Sequence, residues 1–132
     1  MTIPDEVAVV YVTMDSTGDL AGFYSLSAHC LERSSIAGGW LRRNVPEQVP
    51  AILLGMLGVD RRFQGMGLGR MLLHDAVVRS LSSSREIGAR ALVVDPVDSA
   101  AARFYGAAGF QPIPESDRVF LKLAGARPPA AT

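Results

Sequence analysis

The stretch from Arg61 to Arg70 reads RRFQGMGLGR and places Gly65, Gly67 and Gly69 at alternate positions between basic residues. An apolar segment precedes it, and a segment with the apolar spacing of a helix follows. A helix that opens on a glycine turn presents several backbone N–H groups that have no intrahelical partner. These donors, the helix dipole and nearby arginines favour an anion. The pattern predicts a site for a phosphate-bearing ligand.

Two other nucleotide-binding motifs do not fit this stretch. The glycines are not followed by the Lys and the Ser or Thr that a P-loop requires. Gly69 comes too early for the G-x-G-x-x-G spacing of a dinucleotide-binding turn, and the strands predicted before it form a hairpin. A turn that only packs a helix against a strand is the remaining alternative. Three glycines beside four basic or amide side chains exceed what such a turn needs.

The sequence around this turn predicts strands and helices that form a mixed α/β sheet and position the turn. Apolar or alternating segments predict five strands, the first two forming a hairpin, at residues 7–14, 21–31, 51–59, 89–97 and 118–124. A largely buried helix is predicted over about 67–82, and a short one begins at Asp98 or Ser99 and ends near Gly109. The third strand is apolar on both faces, so we expect it to be central, with a bulge or close backbone approach at Gly55 or Gly58. The element order predicts a parallel crossover in the middle of the sheet.

Composition limits the classes of function. A chain of 132 residues is long enough for one core, and we expect one domain over residues 1–124 with a flexible tail over 125–132. Thirteen basic and thirteen acidic residues cancel, so overall charge does not drive nucleic-acid binding. The first strand and the single cysteine, Cys30, are expected to be buried, and one cysteine makes neither an internal disulfide nor a metal cluster alone. No signal peptide or run of about 18 apolar residues is visible, so a cytoplasmic protein is expected.

Two motifs at matching spacing resemble the GNAT N-acetyltransferases. Residues Gln64 to Gly69, QGMGLG, match the Q/R-x-x-G-x-G/A signature of that family. The stretch DSAAARFYGAAGF is similar to the family pattern N-x-x-A-x-x-F-Y-x-x-x-G-F, with Asp98 in place of the Asn. These matches cover residues 51–111, and the strand order extends the resemblance over most of the chain. The resemblance implies the GNAT fold, a mixed, mostly antiparallel sheet with a splayed central strand pair and flanking helices.

The resemblance also implies acetyl-coenzyme A as a substrate and assigns its contacts. Backbone groups of Leu57 and Val59 would hold the pantetheine arm like an added strand, and Asp98 would lie near that arm. Arg62 would add a charge-assisted bond. The pyrophosphate would be received by the amides of Gln64, Gly65, Met66, Gly67, Leu68, Gly69 and Arg70.

Tyr105 is the catalytic residue that the resemblance implies, as the proton donor to the departing thiolate. It lies about 100° from Phe104 on the helix, so we expect Phe104 to face the core and Tyr105 to face the cofactor. A phenol with a pKa of about 10 can act as a general acid toward a thiolate. Packing with a bonded hydroxyl is the alternative. The two histidines offer no clear base: His74 is expected to be structural or exposed, and His29 could face either side of the sheet.

Within the superfamily, residues 55–112 look most like the acetyltransferase toxins of bacterial toxin–antitoxin pairs. Those enzymes acetylate the amino group of aminoacyl-tRNA and stop translation, and the resemblance implies a small DNA-binding antitoxin and a possible homodimer as partners. Arginines would contact the RNA backbone rather than read bases, with solvated surface charge as the alternative. The arginines in question are Arg42, Arg43, Arg61, Arg62, Arg79, Arg85 and Arg90.

The start of the chain departs from the family pattern. GNAT proteins normally begin with a strand and one or two helices that help to shape the acceptor groove, whereas six residues precede the first predicted strand here. These N-terminal elements are therefore expected to be missing. Two alternatives to the toxin reading stay open: acetylation of a small amine or a protein N-terminus, and a non-catalytic coenzyme A-binding module. Turnover would separate the module from the enzymes.

Overall fold

A computed structural model of the chain describes residues 8–32 and 47–131. Within these ranges the chain forms six strands and two helices, joined by short turns. The strands are β1 (Val9–Met14), β2 (Leu20–Glu32), β3 (Gln48–Val59), β4 (Ala91–Val94), β5 (Gln111–Pro112) and β6 (Val119–Lys122). The helices are α1 (Leu68–Ile87) and α2 (Ser99–Ala107), and a 3-10 turn at Arg61–Phe63 precedes α1.

The six strands form one sheet in the order β1-β2-β3-β4-β6-β5. All neighbours are antiparallel except β3 and β4, which pair in parallel and are connected through α1. The predicted hairpin, the central third strand and the parallel crossover are therefore confirmed. β5 was not predicted, because two residues, Gln111 and Pro112, are too short to carry a hydropathy pattern.

Helix α1 is longer than its sequence pattern predicts. Its predicted end lies near residue 82, but the helix continues through three consecutive serines to Ile87. Gly88 ends it in the left-handed conformation, with φ 72°, and its N–H bonds the Ser84 carbonyl oxygen at 2.9 Å. Serine is a poor helix former, but packing on a sheet outweighs that small preference. No helix in the described ranges combines the length and the hydropathy needed to cross a bilayer.

The sheet has two faces with different coverings. Alternate residues of the central strands, such as Leu54 and Val94, point to the helix face, where α1 and α2 pack. The residues between them, such as Ala51 and Val93, point to the opposite face. The core on the opposite face is smaller and consists of Leu31, Val49, Ala51, Ala91, Val93, Ile113 and Phe120.

Strand β3 contains the predicted bulge and extends beyond the end of its pairing with β4. Its register against β2 shifts between Tyr24 and Leu26, so that Gly55 and Met56 together oppose Ser25. The Ser25 hydroxyl accepts a hydrogen bond from the Met56 N–H at 3.1 Å. A β-carbon on Gly55 would lie 2.8 Å from that hydroxyl oxygen, which explains the glycine. The bulge begins directly after Leu54, the last residue of β3 that pairs with β4, as expected for the splayed strand pair of the predicted fold.

Three burial predictions were wrong. β1 is an edge strand of the described sheet, and its side chains Val9, Val10, Val12 and Met14 are each more than half exposed. Helix α1 is not buried all round, because only one stripe of it contacts the sheet and its other apolar residues face outward. Cys30 is exposed on β2. Apolar composition alone does not specify how many layers cover an element.

Candidate active site

A cavity of about 470 Å³ lies where β3 ends and α1 begins. Most of the predicted cofactor-binding residues line it, as do two phenylalanines, Phe63 and Phe104, that were not predicted to do so. The full lining is Val59, Phe63, Gln64, Gly65, Gly67, Leu68, Gly69, Arg70 and Phe104. Leu57, Arg62, Met66 and Asp98 lie outside the lining, and the Met66 side chain is 71% exposed.

The N-terminus of α1 opens into this cavity with its backbone donors uncapped. Gly67 is the N-cap in the left-handed conformation, with φ 83° and ψ 5°, and no side chain caps the helix. Gly65 is also left-handed, at φ 80°. The first turn carries no acidic residue, and the N–H that returns to the Gly67 carbonyl oxygen belongs to Met71, at 3.1 Å. The N–H groups of the preceding turn therefore remain available to an anion.

The second feature of the cavity is the open edge of β3. β4 pairs with β3 from Ala51 to Leu54, and the bulged end of β3 from Gly55 to Val59 has no β4 partner. Leu57 and Val59 lie on this stretch and are held from the other side by β2. The Gln64 side-chain amide donates to the Val59 carbonyl oxygen at 3.0 Å, which ties the glycine turn to the strand end. An extended ligand chain with amide groups can add along such an edge.

Arg62 is held away from the cavity by two carboxylates. Its guanidinium binds Asp60 at 3.0 Å and Asp19 at 3.2 Å, and Asp60 also accepts the Arg62 backbone N–H. These contacts fasten the 3-10 turn to the turn between β1 and β2. Among the arginines of the motif, Arg70 is the one that lines the cavity in this structure. A sequence pattern does not reveal such pairing, because Asp19 is distant in the chain.

Asp98 caps helix α2, and it is one of the two residues, Asp98 and Ser99, at which the helix was predicted to begin. Its Oδ1 accepts a hydrogen bond from the Ala101 N–H at 2.7 Å. Asn and Asp are equally suited to this position, so the substitution relative to the family pattern keeps the cap. At the other end, Gly109 is left-handed at φ 99°, and the Phe110 N–H returns to the Tyr105 carbonyl oxygen at 3.1 Å, as predicted.

Phe104 was expected to face the core, but it forms part of the cavity wall. Phe104 lines the cavity, and its ring lies 3.8 Å from the position of a β-carbon on Gly69. Tyr105 is 6% exposed and belongs to the main core, together with Ala101 and Ala108 on the same stripe of α2. Alanines surround both aromatic residues in sequence, so the apolar pattern of α2 left its rotation on the sheet undetermined.

Tyr105 is nevertheless chemically distinctive. Its ring packs edge-on against Phe104 and tilted against Phe110, at centroid distances of 5.2 and 5.5 Å. Burial raises the pKa of Tyr105 to about 12. Burial alone accounts for this shift, with no contribution from a hydrogen bond to a described residue. The phenol is therefore protonated at neutral pH.

Neither histidine lines the cavity. His74 lies on α1, and its Nδ1 is 2.6 Å from the Pro129 carbonyl oxygen, so this nitrogen carries the proton. That structural role agrees with the prediction. His29 contacts Arg118 on the opposite face of the sheet. Among the described residues, the cavity lining contains no carboxylate either.

The comparisons with known proteins agree with this geometry. Residues 6–112 match the family model of the acetyltransferase (GNAT) domain. The chain is 41% identical, over 106 residues, to the tRNA-acetylating toxin of Mycobacterium tuberculosis; the match covers 80% of this chain and 63% of that protein. It therefore spans less than two thirds of that relative.

Solved structures of similar proteins have the same fold. AtaT complexed with acetyl-methionyl-tRNAfMet superposes with a TM-score of 0.83 at 25% identity, over 90% of this chain and 73% of that one. A tyrosine-to-phenylalanine mutant of the AtaT toxin, bound to the C-terminus of the antitoxin AtaR, superposes with a TM-score of 0.74 at 25% identity. That match covers 89% of this chain and 68% of that one. With its glycine turn, splayed strands and matching family model, the chain belongs to the GNAT acetyltransferase family.

Proposed function

We propose that this chain transfers the acetyl group of acetyl-coenzyme A to the amino group of aminoacyl-tRNA, as a toxin-type N-acetyltransferase. The observation that carries the proposal is the uncapped N-terminus of α1, which opens beside the unpaired end of β3. The similarity to a tRNA-acetylating toxin supports the choice of acceptor.

The residues of the cavity fit acetyl-coenzyme A. Backbone N–H groups from Gly65 to Arg70, with the Arg70 guanidinium, offer donors to a pyrophosphate at the positive end of a helix dipole. The Gln64 N–H already donates to the Arg61 carbonyl oxygen, at 3.4 Å. The backbone of Leu57 and Val59 offers a strand edge to the amides of the pantetheine arm. In this proposal Arg62 and Asp98 act indirectly, because the first braces the turn and the second caps α2.

Acetyl transfer requires a nucleophilic amine and a proton for the departing thiolate. The acceptor amine attacks the thioester carbonyl carbon directly, and the bond from that carbon to sulfur breaks. Tyr105 supplies the proton to the sulfur, and the amine proton passes to solvent. A buried, protonated phenol is suited to this role, because it keeps its proton until the thiolate forms.

The charges on the described surface favour contact between the RNA and a few exposed arginines, rather than attraction to the protein surface as a whole. Arg62 and Arg79 are paired with carboxylates, which weakens their attraction for phosphate. Arg61, Arg85 and Arg90 remain exposed candidates for phosphate contacts, and Arg42 and Arg43 lie outside the described residues. We propose that the RNA is held mainly by its backbone and that its charged end reaches the splayed strands.

The same proposal includes partners and a location. AtaT is bound to an antitoxin C-terminus in one of the matching structures, so a small DNA-binding antitoxin is the expected protein partner of this chain. A homodimer is a further expectation. A tRNA acceptor implies that the protein works in the cytoplasm.

The deciding experiment is incubation of the purified chain with labelled acetyl-coenzyme A and a pool of charged tRNAs. Label on the aminoacyl end supports the proposed function. Cofactor binding with transfer only to polyamines or peptide N-termini would assign a different acceptor. Cofactor binding without any transfer would reduce the chain to a coenzyme A-binding module.

A further inference from the structure

The bulge in β3 changes which side chains of that strand face the helices. Leu54, which precedes the bulge, and Leu57 and Val59, which follow it, all belong to the helix-face core or pack against it. Residues 54 and 57 are three positions apart, so a regular strand would place them on opposite faces of the sheet. The extra residue in β3 therefore shifts the alternation by one position for the rest of the strand.

The same shift decides which backbone groups point to the open edge of β3. The Asp60 N–H donates to the Ala21 carbonyl oxygen of β2 at 2.9 Å. Backbone groups alternate in direction along a strand, so those of Gly58 also point to β2, and those of Leu57 and Val59 point the other way. That other side is the stretch without a β4 partner. Without the extra residue, the alternation would turn the groups of Leu57 and Val59 toward β2 instead.

Ser25 is the residue that holds the bulge in place. It alone opposes Gly55 and Met56, and it is 2% exposed. Its hydroxyl oxygen accepts the Met56 N–H at 3.1 Å, so a side chain supplies the acceptor where the regular ladder is interrupted. The Ser25 side chain points away from the helix face, because its neighbours Tyr24 and Leu26 belong to the core on that face. Ser25 can therefore act on the cavity only through the backbone of β3.

Gly55 leaves the space that the Ser25 hydroxyl occupies. A β-carbon on Gly55 would lie 2.8 Å from the hydroxyl oxygen. Among the described residues not adjacent to Gly55, that oxygen is the one atom within 4 Å of the β-carbon position. The hydroxyl and the missing side chain are therefore a matched pair, and a change at either position acts on the same hydrogen bond.

We propose that Ser25 is a positioning residue for the cofactor: its hydroxyl holds the bulge that turns the backbone of Leu57 and Val59 toward the pantetheine arm. The inference rests on the proposed function and deepens it, since it names a residue that serves the site without touching the ligand. The glycine turn that would receive the pyrophosphate takes its shape from its own left-handed glycines. The hydrogen bond of Ser25 therefore acts on one end of the cofactor and not on the other.

The test compares two ligands that share the nucleotide end. Acetyl-coenzyme A would contact both the strand edge and the glycine turn, whereas 3′-phospho-ADP lacks the pantetheine arm and would contact the turn alone. Ser25→Ala removes the acceptor of the Met56 N–H. Ser27→Ala is the matched control, because Ser27 lies two residues along the same face of β2 and opposes Leu53 in the regular pairing. Calorimetry measures both Kd values for each protein.

We expect Ser25→Ala to raise the Kd of acetyl-coenzyme A about threefold to tenfold, the range for the loss of one hydrogen bond. The Kd of 3′-phospho-ADP should stay within about twofold of wild type, and Ser27→Ala should leave both values within the same range. An unchanged Kd of acetyl-coenzyme A in Ser25→Ala would overturn the inference. An equal loss of affinity for both ligands would also overturn it, because a general structural defect does not distinguish them.

A double-mutant cycle tests the pairing of Ser25 with Gly55. Gly55→Ala should displace the hydroxyl from the Met56 N–H and weaken acetyl-coenzyme A binding about as much as Ser25→Ala. Once the hydroxyl is absent, the added β-carbon meets open space, so the double variant should bind within about twofold of Ser25→Ala. A double variant whose loss equals the product of the two single losses would show independent effects and overturn the pairing.

The outcomes separate this inference from the proposed function. If the wild-type chain binds neither ligand, the cofactor site is wrong and both proposals fail. If it binds acetyl-coenzyme A but acetylates no charged tRNA, the proposed acceptor fails, and a selective loss in Ser25→Ala still supports the inference. Urea unfolding checks that each variant folds. If Ser25→Ala does not fold, the same comparison of the two ligands in Gly55→Ala decides the role of the bulge.

Discussion

Tyr105 combines burial and a raised pKa on a helix that borders the cofactor cavity. Its neighbour Phe104 forms a wall of that cavity. In the proposed mechanism Phe104 shapes the site and Tyr105 supplies the proton. The positions of both side chains depend on the rotation of α2, which its packing against the core fixes.

We expect Tyr105→Phe to lower kcat at least a hundredfold, because general acid catalysis typically contributes that much. The affinity for acetyl-coenzyme A should stay within twofold, since the phenyl ring preserves the packing with Phe104 and Phe110. Single-turnover transfer and calorimetric binding measure the two quantities. Unchanged turnover would contradict the proposed role of the hydroxyl.

Asp98→Ala should destabilise the protein by about 1 kcal/mol, because the Ala101 N–H loses its capping oxygen. Asp98→Asn, which restores the residue of the family pattern, should leave the free energy of unfolding within about 0.3 kcal/mol of wild type. Urea denaturation measures both variants. Equal stability of the Ala and Asn variants would show that the cap contributes nothing.

At the scale of elements, the beginning of α1 is the feature on which we propose that cofactor binding depends. Gly67 holds the turn in a left-handed conformation that side chains other than glycine rarely adopt, and a β-carbon there would meet no atom within 4 Å. Substitution therefore strains the backbone without a steric clash, and the strain acts on the N–H groups that face the cavity.

Gly67→Ala should weaken acetyl-coenzyme A binding at least tenfold, since the turn must shift to relieve a strain of about 1–2 kcal/mol. Gly88→Ala is the matched control, because Gly88 ends the same helix at φ 72° and also has open space around it. Both variants should lose similar stability in thermal unfolding. Equal loss of cofactor affinity in the two would argue against a site at the start of α1.

At the scale of the whole molecule, a buried phenol makes the free energy of unfolding decrease as the pH becomes alkaline. The pKa of Tyr105 is about 12 in the folded chain, against about 10 for an exposed tyrosine. The unfolded chain therefore loses this proton first, and the stabilisation present below pH 10 is lost as pH rises toward 12. By pH 11 the wild type should lose about 1 kcal/mol more than Tyr105→Phe, measured by urea unfolding. Equal losses in both proteins would contradict a raised pKa.

The C-terminal tail is joined to α1 by a hydrogen bond from His74 to the Pro129 carbonyl oxygen. A chain shortened to residues 1–124 should still unfold cooperatively. The lost hydrogen bond, worth about 1 kcal/mol, should lower the Tm by roughly 3–6 °C. Differential scanning calorimetry measures both properties. Loss of cooperative unfolding would contradict the predicted domain boundary.

Local chemistry made much of the site predictable. The glycine turn, the Asp98 cap and the Gly109 helix end each follow from residues within a few positions of one another. The bulge at Gly55 was anticipated for the same reason, because a glycine inside an apolar strand marks a close approach. The contacts of Arg62 with Asp19 and of Tyr105 with the core were not anticipated, because both depend on how separate elements pack.

The sequence by itself therefore determined the order of the elements other than β5, the family, and the position of the glycine turn that begins α1, since backbone conformation and helix capping are decided over a few residues. Only the tertiary structure decided which face of α2 holds Tyr105. It also decided that His29 and Asp95, which are distant in sequence, both contact Arg118. The reason is that an alternating strand or an alanine-rich helix leaves its facing open until strands distant in sequence pair and fix it.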